Sequence, residues 1–338
     1  MQGAIAMIYR KLGKSDVEIS AITFGAWAVG GWMWGGTDEE QSIAAIRKAI
    51  ELGVTTIDPA AVYGFGRSEE IVAKAIAPYK RENLQILTKF GLRWDISEPA
   101  PKRWDTTDRN GKPTVVSHWA KAAGIIYECE QSLRRLGTDY IDVFQQHWPD
   151  PGTPLEESAI ALDTLLAQGK IRAVGESNFN VEQLETISDL VPIASNQPPY
   201  SMVNRAIEND VMPYCVEHDI SVIVYSPLQR GLLTGKITDG YQFNGDDHRA
   251  NSPLFKGENL RRVNAFLNEI RPIAQAHSAT LAQLVINWTL HRPGVTAVLV
   301  GARNPQQAEE NTKAMQFELC ETEIAEINEK LDDLELTV

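Results

Sequence analysis

The sequence predicts a single-domain (β/α)8 TIM barrel over residues 1–338, with an N-terminal hairpin plug and long loops at the carboxyl-terminal face. Three observations predict this fold. Short β-branched or aliphatic runs alternate with longer helical patterns almost from end to end. The runs are largely apolar, which is typical of parallel strands covered by helices. No GxGxxG follows the first run, which weighs against a doubly wound dinucleotide-binding sheet.

The predicted elements follow in a regular order. Each predicted strand is followed by a helical pattern, and the eight strands are 22–26, 54–58, 85–89, 140–147, 171–175, 192–196, 221–226 and 296–301. Before the first strand, IYRKLGKSDVEIS has a turn at residues 13–15, which predicts a hairpin that plugs the barrel bottom. Two segments, 90–116 and 227–258, are too long for simple turns. Both follow strand carboxyl ends, where barrel enzymes build their sites.

Local signals predict where several helices begin and end. Thr37 to Glu40 resembles a capping box, and Gly53 ends the helix after it. Thr153 and Pro154 begin another predicted helix, and Gly169 ends it. Asn304 before a proline, with Gln307 three residues later, opens the last crossover helix in the same way.

Composition excludes several classes of function. The net charge is −13 and the pI is near 5.0, which argues against a nucleic-acid or anionic-membrane surface. No apolar run approaches the roughly 20 residues of a membrane span. The three cysteines are isolated and no HExxH occurs, so we expect a reducing cytoplasm and no metal site. Met7 is a candidate natural start that would make residues 1–6 an extension. The oligomeric state is left open.

Four ionisable side chains stand at or just past three consecutive strand ends: Asp58, Tyr63, Lys89 and His147. A tyrosine has an ordinary pKa near 10, and a neighbouring ammonium favours the phenolate and lowers that pKa. Such a tyrosine can protonate a carbonyl oxygen while hydride reaches the carbon, and the histidine can orient that oxygen. Each residue alone has an ordinary structural explanation, but the four together favour catalysis.

Two functions remain open from these residues. The first is an oxidoreductase that acts on small carbonyl or sugar substrates. The second is a phosphate-binding barrel isomerase or aldolase, in which Lys89 would form a Schiff base.

The sequence resembles the aldo-keto reductases from about Tyr9 to about Asn311. The motifs that carry the resemblance are IDPAAVYGFGRSEE, LTKFG, SLRRLGTDYIDVFQQHWPD, VGESNF, YSPLQRGLLTGK and VGARNPQQAEEN. It is most similar to the bacterial branch that also resembles the potassium-channel β subunits. That resemblance leaves open a further function, a cofactor-binding regulatory subunit with vestigial catalysis. The resemblance implies a catalytic tetrad of Asp58, Tyr63, Lys89 and His147, with Tyr63 as the general acid.

The resemblance also implies a nicotinamide cofactor and the residues that hold it. Ser177, Asn178 and Gln197 would bind the carboxamide, and Tyr225 would stack on the ring. Arg303, at the start of the last crossover helix, would suit an adenosine 2′-phosphate, so we expect NADP(H) rather than NAD(H). The full set of cofactor-binding residues that we predict is Trp27, Ser177, Asn178, Gln197, Tyr225, Ser226, Leu228, Gly231, Lys236, Arg249, Gly301, Arg303, Gln307, Glu310 and Asn311.

The sequence departs from the family at two positions. Pro59 stands where the family usually has Thr, and we expect it to hold Asp58 extended. Glu176 replaces a residue that is commonly small or apolar, and strand alternation turns it away from the Ser177 side. The polar segment 93–113 is expected to shape the substrate pocket. With the tryptophans near the mouth, it favours a hydroxylated or sugar-like carbonyl, and those tryptophans are Trp27, Trp32, Trp34, Trp94, Trp104 and Trp148.

Overall fold

Eight parallel strands close into a barrel in the computed structural model, which describes residues 7–337. Around the barrel the strands run in the order β10, β11, β12, β13, β3, β4, β5 and β9. The strands in chain order are β1 Tyr9–Lys11, β2 Glu18–Ser20, β3 Ile22–Gly25, β4 Thr56–Asp58, β5 Gln85–Phe90, β6 Leu92–Arg93, β7 Lys102–Thr107, β8 Pro113–His118, β9 Ile141–Gln146, β10 Ile171–Ser177, β11 Ile193–Gln197, β12 Ser221–Tyr225 and β13 Val295–Val300.

The helices lie around this barrel and cover the outer faces of its strands. They bury a continuous apolar layer against the strands, as a parallel sheet requires. The helices are α1 Glu39–Glu51, α2 Arg67–Ile76, α3 Ala122–Leu136, α4 Leu155–Ala167, α5 Val181–Ser188, α6 Val211–Glu217, α7 Gly257–Ala276, α8 Leu281–Leu290, α9 Pro305–Thr312 and α10 Glu321–Asp332.

The predicted barrel is confirmed. Each of the eight predicted strands is present, and every strand end lies within two residues of its predicted position. Barrel closure joins the first barrel strand to the last, with Ile22 of β3 beside Val298 of β13. The candidate extension 1–6 lies outside the described residues.

Helix starts agree with the sequence at α9 but not at α1. The side chain of Asn304 accepts a hydrogen bond from the backbone N–H of Gln307 at 2.9 Å, as predicted. The capping box at Thr37 is wrong by one residue. Asp38 is the N-cap and accepts from the N–H of Gln41 at 3.0 Å, because its carboxylate favours the positive helix end.

The N-terminal hairpin plugs the bottom of the barrel, as predicted. Strands β1 and β2 pair antiparallel, and the hairpin side chains Leu12, Val17 and Ile19 are buried among inward-facing residues of the barrel strands. The N–H of Gly13 donates to the hydroxyl of Ser221 at 2.8 Å. Arg10 donates to the carbonyl of Val295 at 2.8 Å, which ties the hairpin to the last strand.

The two long segments are folded. Segment 90–116 contains most of a three-stranded antiparallel sheet, β6–β8–β7, which the sequence did not predict. The polar side chains of β7 and the prolines that flank it hide the strand signal, because one face of this hairpin lies in solvent. Segment 227–258 forms short 3₁₀ turns at 229–234, 248–251 and 253–255. Within the described residues, no helix combines the length and apolar character needed to cross a membrane.

Candidate active site

The four predicted catalytic residues converge at the carboxyl ends of neighbouring strands. Asp58 ends β4, Lys89 lies near the end of β5, and His147 follows β9. The ammonium of Lys89 is buried, ion-paired with Asp58, and donates to the carbonyl of Pro59 at 3.2 Å. The hydroxyl of Tyr63 lies 3.4 Å from Nε2 of His147. The fold therefore brings together the four side chains that the sequence predicted as one cluster.

The carboxylate of Asp58 is also held from its other side. Its Oδ2 accepts from the side-chain amide of Gln145 at 3.0 Å and from that of Gln197 at 2.9 Å. The amide of Gln197 donates as well to Oε1 of Gln145 at 3.1 Å. Gln145 was missed as a site residue. Strand alternation could have found it, because Gln145 and His147 are two residues apart on β9 and its extension and so face one side.

Burial sets the protonation of the Tyr63–His147 pair. Burial and the charge of Asp58 raise the pKa of Tyr63 well above its ordinary value. Burial, Lys89 and Arg103 lower the pKa of His147 well below its ordinary value. Both side chains are therefore neutral near pH 7, and the phenol keeps its proton.

The expectation that Lys89 would lower the pKa of Tyr63 is wrong for this arrangement. The ammonium lies 5.2 Å from the centroid of the Tyr63 ring, but Asp58 neutralises most of its charge. Loss of hydration then dominates and disfavours the phenolate. Burial also lowers the pKa of Lys89, while Asp58 opposes that change.

The turn that carries Tyr63 is tightly packed. Gly64 has φ +64°, and an added Cβ would lie 2.4 Å from the carbonyl oxygen of Gly30. Only glycine tolerates both this backbone conformation and this close approach. Pro59 leaves Asp58 within the extended strand, and its carbonyl serves as an acceptor for Lys89. The glycines thus fix the position of Tyr63 against the 28–31 turn.

One cavity of about 690 Å³ opens above this group. Asp58, Tyr63 and His147 lie in its wall, whereas Lys89 lies beneath it. All fifteen predicted cofactor-binding residues also line this cavity, from Trp27 to Asn311. Their cofactor-binding roles remain predictions, but the barrel places them along one continuous surface.

At the catalytic end of the cavity, Asn178 connects several strand ends. Its amide nitrogen donates to the carbonyl of His147 at 2.9 Å and to the hydroxyl of Ser177 at 3.0 Å. Its amide oxygen accepts from the hydroxyl of Tyr225 at 2.9 Å, which fixes the Tyr225 ring. The hydroxyl of Ser177 in turn donates to the carbonyl of Gln197 at 2.8 Å.

At the far end, cations approach the cavity from two segments. The guanidinium of Arg303 donates to the carbonyl of Gly36 at 2.6 Å. That of Arg249 is ion-paired with Asp247 and donates to the carbonyl of Arg230 at 2.9 Å. The ammonium of Lys236 lies 3.8 Å from the carboxylate of Glu310. Asn311, in the last turn of α9, donates to the carbonyl of Gly301 at 3.1 Å and ties that helix to the residue after β13.

Backbone strain is concentrated in the same region. Five non-glycine residues of the cavity wall have positive φ: Met33 (64°), Asn178 (63°), Ser226 (59°), Gln229 (44°) and Arg230 (56°). Such conformations cost about 1–3 kcal/mol each and are often found at functional sites. The loops after β10 and β12 therefore have strained backbones where a ligand would lie.

Aromatic side chains form the wall near Tyr63. Five of the six predicted mouth tryptophans line the cavity, and Trp94 does not. Trp94 packs instead edge-on against Phe65, 5.3 Å between ring centroids. Trp104 and the neighbouring Arg103 reach the cavity from β7. Arg103 was missed, because no sequence signal reveals how this hairpin turns.

Glu176 lies behind the site and not in it. It faces away from Ser177, as strand alternation predicts, between Gln146 of β9 and Asn196 of β11. Its side chain is fully buried, and neither carboxyl oxygen has a hydrogen-bond partner among the described residues. Burial raises its pKa well above the ordinary value, so this carboxyl group keeps its proton near pH 7.

Comparison with known proteins identifies the family. Residues 21–332 match the Aldo/keto reductase family. The chain belongs to that family. A solved structure, that of the glycerol dehydrogenase AKR11B4 from Gluconobacter oxydans, is 36% identical with a TM-score of 0.85, and the match covers 98% of this chain and 97% of that one.

Curated relatives support the predicted branch of the family. Aldo-keto reductase YhdN of Bacillus subtilis is 40% identical over 97% of this chain and 94% of its own length. The NADH-specific methylglyoxal reductase of Escherichia coli is 33% identical over 96% of this chain and 98% of its own. A probable voltage-gated potassium channel subunit beta from Arabidopsis thaliana is 31% identical over 91% of each chain. The predicted resemblance to the channel subunits is therefore confirmed.

The residues present fit the nicotinamide cofactor that the family uses. Trp27 and Trp34 line the cavity, and their buried indole N–H groups lack an acceptor among the described residues. A ligand rich in phosphate and amide oxygens can supply acceptors there, and the cations at the far end suit its charge. Within residues 7–337, no cluster of three or more His, Cys, Asp or Glu side chains is arranged to hold a metal ion.

Proposed function

We propose that this chain is an NADP(H)-dependent oxidoreductase. It reduces aldehydes and ketones, including hydroxylated or sugar-like ones, and oxidises the corresponding alcohols. The observation that carries this proposal is the neutral Tyr63–His147 pair, 3.4 Å apart, at the inner end of the cavity and above the Lys89–Asp58 ion pair. We propose cytoplasm as its compartment and a single barrel domain as the functional unit.

Each catalytic residue has a distinct role. The cofactor, when bound, supplies hydride to the carbonyl carbon. Tyr63 donates its phenolic proton to the carbonyl oxygen, and its raised pKa keeps that proton available at neutral pH. His147, uncharged, orients the same oxygen through Nε2. Lys89 lies beneath Tyr63, where its ammonium stabilises the phenolate that forms when the proton has left, and Asp58 holds that ammonium in place.

Substituting Tyr63 tests the catalytic role. The Tyr63→Phe variant keeps the ring and loses the proton donor, so turnover should fall by about 10²- to 10⁴-fold. Affinity for NADPH, measured by tryptophan fluorescence, should change by no more than about twofold. Unchanged turnover would contradict the general-acid assignment.

Cofactor preference rests on Arg303. Its exposed guanidinium stands at the start of α9, beside Gln307, where a fork of N–H donors can bind a phosphate. One relative is named as NADH-specific, so the preference needs a direct measurement. Titration with NADPH and NADH should show tighter NADPH binding, and Arg303→Gln should weaken NADPH by about 10- to 100-fold.

Lys313→Gln is a matched control for this titration. Lys313 follows α9, is ion-paired with Glu309, and lies outside the cavity wall. The Lys313→Gln variant loses one positive charge, as Arg303→Gln does, and its affinities for NADPH and NADH should stay unchanged. Equal or tighter binding of NADH by the unsubstituted protein would overturn the NADP(H) preference and leave the reductase proposal intact.

A regulatory cofactor-binding subunit is the second candidate, because of the likeness to the plant channel subunit. It predicts NADPH binding without turnover on a panel of aldehydes, ketones and sugars. The aldolase alternative is disfavoured, because Nζ of Lys89 is buried and bonded to Asp58 and to Pro59. A Schiff base requires a free, accessible amine.

A further inference from the structure

The β7 strand contains an irregularity that turns one arginine into the cavity. Lys102 pairs with Ser117 and Trp104 pairs with Val116, so two residues advance on β7 while one advances on β8. Arg103 is the extra residue of this β-bulge. In a regular strand, Arg103 and Trp104 would face opposite sides. Both line the cavity instead, because a bulge redirects the side chain that it carries.

The guanidinium of Arg103 is held by aromatic rings and has no anionic partner. Its central carbon lies 4.2 Å from the centroid of Trp148 and 5.2 Å from that of Trp104. Across residues 7–337, no carboxylate lies within ion-pair distance of it, whereas the preceding Lys102 is paired with Asp105. Stacking on a tryptophan face orients the guanidinium and leaves its edge N–H donors free.

Arg103 lies at the catalytic end of the cavity. Its charge contributes to the lowered pKa values of His147 and His118. The other arginine and lysine side chains in the wall come from segment 228–249 and from Arg303 before α9, and all of them except Arg230 are predicted cofactor residues. Those cations can be used by a dinucleotide, but Arg103 comes from the hairpin that carries the tryptophan wall.

We propose that Arg103 binds an anionic group of the substrate, so that the preferred substrates are short carbonyl compounds carrying a carboxylate or a phosphate. This proposal rests on the proposed reductase function and names its substrate class. An Arg fork binds either anion through two N–H donors. The exposed position of Arg103 at the mouth also favours attraction of anions from solution.

Two matched pairs of aldehydes test the proposal with the intact protein and NADPH. Succinic semialdehyde against pentanal tests a carboxylate, and glyceraldehyde 3-phosphate against glyceraldehyde tests a phosphate. We expect kcat/KM to be at least about tenfold higher for the anionic member of one pair, mainly through KM. The pair that shows the difference identifies the anion.

Substitutions in β7 test whether the preference for anionic aldehydes depends on Arg103. Arg103→Gln should lower the anionic-to-neutral ratio of kcat/KM by about 10- to 100-fold, and Arg103→Lys should restore part of it. Lys102→Gln removes an adjacent cation that does not line the cavity, so the ratio should stay unchanged. Calorimetric binding of succinate and of inorganic phosphate gives a readout that does not need turnover, and Arg103→Gln should abolish it.

Several outcomes would overturn the inference. One is equal or lower kcat/KM for both anionic aldehydes. Another is an Arg103→Gln variant that loses activity equally on both members of a pair, which would mean a structural role for the hairpin. An effect of Lys102→Gln as large as that of Arg103→Gln would indicate general charge and not a site. Failure of the reductase proposal would be recognised separately, as turnover of no aldehyde while NADPH or succinate still binds.

Discussion

Gln145 and Gln146 are adjacent on β9, yet their side chains lie in opposite environments. The amide of Gln145 donates to Asp58 and accepts from Gln197, so both its ends are bonded. The amide nitrogen of Gln146 donates to the carbonyl of Trp148 at 3.2 Å, but its oxygen is buried without a partner among the described residues. The same residue type is thus fully bonded on the cavity side and partly unsatisfied one position later.

The contrast extends to the neighbouring strands. The inner row, which faces the barrel interior at and beneath the cavity floor, is a bonded network; its members are Asp58, Lys89, Gln145 and Gln197. The outer row faces the helices and has four buried side-chain oxygens without a hydrogen-bond partner among the described residues; its members are Gln146, Glu176 and Asn196. Because unsatisfied buried oxygens cost stability, the barrel wall loses stability directly behind its bonded inner row.

The largest expected effect is that of breaking the buried ion pair. Lys89→Met leaves Asp58 buried without a counter-charge, so the free energy of unfolding should fall by about 3–5 kcal/mol. Urea denaturation of the variant and of the unsubstituted protein measures this difference in the free energy of unfolding. Lys74→Met, which breaks an exposed pair with Glu39, should cost no more than about 1 kcal/mol.

A double variant checks the reason for that loss. Adding Asp58→Asn to Lys89→Met removes the uncompensated charge and should restore part of the lost stability. If the double variant were less stable than Lys89→Met alone, the loss would have to come from packing and not from charge.

The two glutamines give the sharpest test of the comparison. Gln145→Met leaves acceptors and donors of the inner row unsatisfied and should cost about 1–3 kcal/mol. Gln146→Met loses one hydrogen bond but removes a buried, unbonded oxygen, so it should cost about 1 kcal/mol or less. Thermal unfolding of both variants measures the difference, and equal costs would show that the two rows do not differ in energy.

The clearest pH dependence of stability is expected for Glu176→Gln, and its effect should be smallest at acidic pH, where Glu176 is protonated in both the folded and the unfolded chain. The raised pKa means that folded Glu176 keeps a proton that the unfolded chain releases. Stability of the unsubstituted protein should therefore fall as pH rises above the ordinary pKa of a glutamate, towards the raised value. The variant cannot ionise and adds two N–H donors to the outer row.

The measurement is the difference in free energy of unfolding between the Glu176→Gln variant and the unsubstituted protein at several pH values. We expect the variant to gain relative stability as the pH increases. A difference that stays constant with pH would show that Glu176 titrates alike in the folded and unfolded chains.

The sequence was sufficient to predict the alternation of strands and helices and the side of a strand on which a residue lies. Strand alternation placed Glu176 opposite Ser177, and the order of Asp58, Tyr63 and Lys89 predicted one cluster. The pKa of Tyr63 was not predictable, because it depends on how much hydration the closed cavity removes. The entry of Arg103 into the cavity was not predictable either. The direction of its side chain is set by a one-residue register shift between the polar strands β7 and β8.

The closure of the barrel has a consequence for biosynthesis. Arg10 bonds to Val295, 285 residues away, and β3 completes its pairing only with β13. During translation, the hairpin and β3 therefore emerge long before their partners, and one edge of the growing sheet stays open. Contacts of such long range slow folding and leave unpaired strands exposed to other chains. The time that the ribosome needs to reach β13 is then the interval in which a chaperone would protect this chain from aggregation.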